Sequence, residues 1–186
     1  MTTYRLAFLV DGNLEQKFIQ RACPGNTVRR INCNGNAVAI SAMVRRIATQ
    51  CRLLGSKYYP IVVIIDREDR DTPSRDLCSE IIDGLREEGI VDELIVGVAD
   101  RMIENWILAD SEIVCEDANF QKTPPATCEG LDGKRVIGDC VRYYHETTVG
   151  VELLLKCRAS RIRQKSPSFA YLYDKLPKKG CRWLRR

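Results

Sequence analysis

In the stretch Pro60-Ile61-Val62-Val63-Ile64-Ile65-Asp66-Arg67-Glu68-Asp69-Arg70-Asp71, an unbroken run of apolar, mostly β-branched residues gives way to four acids within six positions. Continuous apolarity over so short a span marks a parallel strand buried on both faces; a half-exposed strand would alternate. A parallel strand needs neighbours reached through crossover connections, so the flanking sequence must alternate strand and helix signals. In such sheets binding and catalytic sites form at the C-terminal ends of the strands. The acids that follow Ile65 stand at that position.

The rest of the first half supplies the alternation. Tyr4–Val10 is a compact apolar run that exits at Asp11-Gly12. Leu14, Phe18 and Ala22 share a helical spacing in a segment ending at Pro24-Gly25, and Val28–Asn32 reads as a short strand. Asn36 is placed to cap a helix that runs to Leu54 and stops at Gly55. Ser74 opens a helix with Leu77, Ile81, Ile82 and Leu85 on one face, closed by Gly89. Glu93–Val98 is a fourth strand and Met102–Ala109 a further helix. The expected fold is α/β and Rossmann-like: a central, mostly parallel four-stranded sheet with flanking helices and a helical C-terminal extension.

Past Asp110 the pattern thins. Residues 116–138, with Pro124-Pro125 and three glycines, read as a long loop or insertion. Val141–Arg163 reads as helix, and Ser166-Pro167 starts a last short helix through Leu176. The final ten residues are basic and carry no periodic pattern, so they are expected to be disordered. The organisation read from this is an α/β core over 1–115, a loop and helical extension over 116–176, and a basic tail over 177–186.

Bulk properties narrow the classes. A chain of 186 residues can build one domain with a full core. No apolar run approaches the roughly 20 residues of a membrane span, and no secretory signal is read at the start; a cytoplasmic protein is expected. Nine cysteines, an odd number with no Cys-x-x-Cys pair, are expected to be reduced and mostly buried, with neither disulfide scaffold nor zinc knuckle. Charge is segregated: from Lys156 onward there are eleven Lys or Arg against one acid, leaving eighteen against twenty-four before it. A basic segment beside an acidic body can bring a polyanion to a metal-binding site.

Three constellations carry possible chemistry. Asp11-Gly12-Asn13-Leu14-Glu15 places an acid at a strand end and a second on the first turn of the following helix, although an acid there also serves as a helix cap. In the acidic run Asp66 and Glu68, with Asp69 or Asp71, are the residue types that hold Mg²⁺ or Mn²⁺. In an extended segment Asp66 and Glu68 share a face. Arg67 and Arg70 offset part of the repulsion. Glu104 follows the fourth strand in Glu104-Asn105-Trp106-Ile107-Leu108-Ala109-Asp110. His145 is the sole histidine, which excludes a multi-histidine metal centre. Neither a Gly-x-x-x-x-Gly-Lys-Ser/Thr loop nor Gly-x-Gly-x-x-Gly occurs.

Together these segments resemble the TOPRIM (topoisomerase–primase) domain, in which one strand ends in Glu-Gly and another in Asp-x-Asp. Here Asp11-Gly12 and Asp66-x-Glu68 stand in those places, each with a carboxylate one methylene different in reach. The order Val10-Asp11-Gly12 with Glu15, the acids after Ile65, Glu104–Asp110 and Ser166-Pro167-Ser168-Phe169 is similar to the small stand-alone TOPRIM-like family termed domain of unknown function 4276, over about residues 4–176. The resemblance implies a Mg²⁺- or Mn²⁺-dependent nuclease in a bacterial setting, often in defence against phage with an ATPase partner. Asp66 and Glu68 would bind metal with Asp69 or Asp71 assisting, and Asp11 or Glu15 would handle the attacking water. Glu104 would complete the cluster. Arg161, Arg163 and Lys165 would hold the nucleic-acid backbone. The opening Val10–Leu14 is also similar to PIN-like or NYN ribonucleases. A non-catalytic partner or sensor subunit is the reading from a different class.

Overall fold

The computed structural model describes residues 5–33, 38–177 and 180–185. Four parallel strands, β1 (Ala7–Val10), β2 (Thr27–Arg30), β3 (Ile61–Asp66) and β4 (Leu94–Ala99), form one sheet in the order β2-β1-β3-β4. Ala7 is in register with both Thr27 and Ile61, and Ile61 with Leu94. The apolar run at 61–65 is therefore a central strand, and all five of these residues are buried. Between the strands lie α1 (Asn13–Ala22), α2 (Ile40–Leu54) and α3 (Ser74–Glu87). Gly55 ends α2 with a φ of 63°, a conformation glycine adopts without strain. The proposed cap Asn36 lies outside the described residues.

The strand pleat sorts the core into two layers. Phe8, Val10, Val62 and Ile64 pack with Leu14 and Phe18 of α1, while Leu9, Val63 and Ile65 pack with Met43 and Ile47 of α2 and Leu77 and Ile81 of α3. The chain moves outward from β1 to β2, then back across β1 to β3 and β4. That reversal puts α1 on one face and α2 and α3 on the other. It leaves a topological switch point between β1 and β3, at whose C-terminal ends lie Asp11 and Asp66.

After β4 come α4 (Glu104–Ala109), α5 (Ser111–Cys115), α6 (Gly133–Cys140), α7 (Val151–Lys156), α8 (Ala159–Lys165) and α9 (Pro167–Lys175). Helix α9, capped by Ser166 and opened by Pro167, packs on β4. The approach is close: a Cβ on Gly97 would stand 2.7 Å from Leu172 Cδ2.

Several expectations differ from the structure here. The end of the 116–138 stretch is helical, because the Asp132 carboxylate accepts the Arg135 N–H at 3.0 Å and starts α6. The single helix expected over 141–163 is three shorter pieces. Val141 bridges to Phe120, a π-helical turn spans Glu146–Gly150, and the chain breaks at Cys157-Arg158. At that break the buried Asp110 carboxylate accepts the Arg158 N–H at 2.8 Å and starts α8. Of the basic tail, the described residues 180–185 are packed, with Cys181, Trp183 and Leu184 buried. Trp183 is buried, donates from Nε1 to the Leu154 carbonyl at 3.0 Å, and meets Phe18 edge-on at 4.9 Å. Cys23 and Cys181 form a disulfide across 158 residues, which corrects the expectation of nine reduced thiols. The other seven are free, and all but Cys115 are buried. No helix among the described residues is long and apolar enough to cross a membrane.

Candidate functional site: a buried carboxylate cluster at the switch point

Each acid of the cluster is positioned by a backbone element. Asp11 leaves β1 and its Oδ1 accepts the Cys33 N–H at 2.6 Å. Glu15, on the first turn of α1, accepts the Gly12 N–H at 3.1 Å. Asp66 ends β3 and its Oδ1 accepts the Ile103 N–H at 2.9 Å, anchoring the entry to α4. Glu104 opens α4. Its neighbour Asn105 fixes that entry by donating to the carbonyls of Asp100 (2.8 Å) and Leu131 (3.1 Å). Asp11, Glu15 and Glu104 are buried, at 2%, 4% and 5% exposure.

Burial of several like charges sets the electrostatics. Desolvation, followed by repulsion from Glu104 and Asp11, pushes the Glu15 carboxyl up to about 8. Desolvation first, and then Glu15, Glu104, Asp11 and Glu68, hold Asp66 well above the usual carboxylate range. Asp11 is raised to about 6, chiefly by burial, with Cys33 and Arg70 acting against it. Glu104 is raised by burial and by Glu146. Among the described residues no salt bridge reaches Glu15, Asp66 or Glu104.

The structure thus sets Asp11, Glu15, Asp66 and Glu104 within electrostatic reach of one another, with Glu68 at the edge. Glu68 has a φ of 59°, so the acidic segment turns away from extended backbone and the simple alternation of Asp66 and Glu68 does not apply. Asp69 is ion-paired with Arg101, and Asp71 is exposed on the α3 side. Neither joins the cluster. Arg161 pairs with Asp110 and Glu112, and Arg163 with Asp174 at 2.7 Å; both are committed within the protein, while Lys165 is exposed. His145 is exposed, beside the Thr147 hydroxyl.

Sequence reasoning missed Tyr144. Its phenol donates to Glu104 Oε1 at 3.3 Å, and burial beside Glu104 and Glu146 pushes its ionisation far up. Gly150 leaves the room it occupies, since a Cβ there would stand 2.8 Å from the phenol oxygen. No local pattern around Tyr144 signals this, because the contact joins residues 40 positions apart.

The donor set has the chemistry a hard divalent cation requires: several desolvated carboxylates whose mutual repulsion a cation would relieve. Among the described residues, no three acidic, histidine or cysteine side chains are drawn together as one ligand set. No protein-family model, curated protein or solved structure matches the chain.

Proposed function

We propose that this protein is a divalent-cation-dependent phosphodiester hydrolase acting on DNA or RNA, a TOPRIM-like nuclease. One observation carries the reading: at the switch point three buried carboxylates, Asp11, Glu15 and Glu104, and the half-buried Asp66 stand within electrostatic reach of one another, with raised proton affinities. Strongly perturbed acids in such a place are characteristic of functional sites. Asp66 and Glu104 would hold Mg²⁺ or Mn²⁺, with Glu68 at the edge. An ion held there would supply charge neutralisation at the phosphate and activation of water.

The chain's own groups divide the remaining work. Glu15, with its proton affinity near neutrality, is suited to take a proton from the attacking water. Asp11 hydrogen-bonds the backbone at Cys33 and orients that end of the cluster. Tyr144 holds Glu104 in place through its phenol. The basic C-terminal segment supports an encounter with a polyanion, and that contribution should weaken with salt.

Thermal melting with and without millimolar Mn²⁺ or Mg²⁺, on wild type and Asp66→Asn, tests the site directly. A ligand that binds the folded state raises the midpoint. A rise in wild type that is lost in Asp66→Asn, together with Mn²⁺-dependent cleavage of single-stranded DNA or RNA, supports the reading. No rise in either protein replaces it with a non-catalytic role as a partner subunit.

A further inference from the structure

Across the C-terminal edge of the sheet from the carboxylates, a cavity of about 510 Å³ opens between the N-termini of α3 and α9. Asp66 points to the α1 face with Val62 and Ile64, while Arg67, the next residue, lines this cavity on the α3 face. Consecutive residues of the chain thus serve the two sites, from opposite faces of the sheet's edge. The volume lies within the roughly 300–1,000 Å³ of small-molecule sites.

The cavity's own acids are largely spoken for. Asp100 accepts from Arg67 Nε at 2.6 Å and from the Ser74 hydroxyl at 3.5 Å. Glu129 accepts from the Ser166 hydroxyl at 2.6 Å and the Ser168 N–H at 2.8 Å. The remaining polar groups are of two kinds. Arg75, on the first turn of α3, sits over the Tyr171 ring at 5.6 Å from its centroid; Lys175, outside the cavity lining, places its Nζ 3.6 Å from the same centroid. Neither cation has an acidic partner among the described residues. Asp71, exposed on the wall, offers a carboxylate to hydroxyl or amino donors. Pro73, Val98, Pro167 and Tyr171 give the walls an apolar character.

We infer that this cavity binds a nucleotide, with the base against the apolar walls, sugar hydroxyls or base amino groups at Asp71, and the phosphate at Arg75. A bare anion would leave the apolar walls unused, and an apolar ligand would leave Arg75 and Asp71 unused. As the unit adjoining the bond attacked at the carboxylate cluster, the nucleotide's place depends on the hydrolase reading; its binding does not.

The test is thermal melting of the full chain in low salt with excess EDTA, against AMP, UMP, adenosine and inorganic phosphate at equal millimolar concentration. A midpoint rise of a few degrees is expected with either nucleotide, larger than with adenosine or phosphate alone. It should vanish in Arg75→Glu and persist in Asp66→Asn. Arg75 is exposed, so the variant keeps the fold. No rise with either nucleotide, a rise matched by phosphate alone, or one that survives Arg75→Glu overturns the inference. Because EDTA removes any metal, failure of the hydrolase reading shows separately, as loss of the Mn²⁺ response with the nucleotide response intact.

Discussion

The two faces of the sheet's C-terminal edge treat the same residue types in opposite ways. On the α3 side and the rim, Asp100 is held by Arg67 and Asp69 by Arg101. On the α1 and α4 side, Glu15, Asp66 and Glu104 are desolvated together, with backbone N–H groups and a phenol as hydrogen-bond partners and, among the described residues, no salt bridge; Lys134, paired with Glu146, attracts Glu104 without bridging to it. A carboxylate with its counter-charge beside it is part of the scaffold. A group of desolvated carboxylates without one opposes folding whenever it is ionised, and its presence points to a ligand that supplies the missing charge.

Four experiments bear on that contrast. Glu15→Gln should lower Mn²⁺-dependent cleavage by roughly 10²-fold or more, the scale of a lost acid–base group, and Asp66→Asn, which removes a metal-holding carboxylate, should lower it at least as far. Cleavage at the wild-type rate in both would erase the functional half of the comparison. Arg67→Ala strands Asp100, whose side chain is only 18% exposed, without its counter-charge. Denaturant unfolding should register a loss of about 3 kcal/mol. A neutral outcome would mean that Asp100 is no better neutralised than the cluster.

The pH dependence should run opposite to that of ordinary ion-paired acids. In the fold Glu15 is raised from 4.5 to about 8 and Asp11 from 3.8 to about 6. The folded protein therefore keeps protons that the unfolded chain has released, and metal-free stability falls as pH rises from about 4 to about 8. Glu15→Gln should flatten that fall and raise the melting point at pH 8 by several degrees, although it removes cleavage. A melting point that climbs over the same interval would contradict the raised proton affinities. The smallest effect belongs to Asp69→Ala. Its pair with Arg101 leaves the Asp69 side chain 54% exposed, so the loss should stay below about 1 kcal/mol, with the metal-dependent melting shift unchanged.

Much of the fold was legible because its signals are local. The apolar run before Asp66, the Asp11-Gly12 exit and the glycines at 55 and 89 each mark an element or its end within a few residues. The candidate acids were legible for the same reason: Asp11 and Asp66 stand at strand ends, and Glu15 and Glu104 on the first turns of the helices that follow a strand. Asp69 and Asp71 were indistinguishable from Asp66 and Glu68 by spacing. What separates them is the turn at Glu68 and the reach of Arg101, a residue 32 positions beyond Asp69. The basic segment was legible as charge, yet Arg161 and Arg163 are occupied by Asp110, Glu112 and Asp174, a pairing visible only once α8 is docked.

By itself the sequence determined a parallel α/β sheet and put acids at the ends of its strands, because periodicity and chain-breaking residues act over one or two turns. Only the tertiary structure decided which acids are buried together and which are neutralised. It also brought Tyr144 to Glu104 and Cys181 to Cys23, and packed Trp183 against Phe18. Those outcomes depend on contacts between residues from 40 to 165 positions apart, and desolvation and charge pairing are properties of the assembled neighbourhood, which local spacing does not encode.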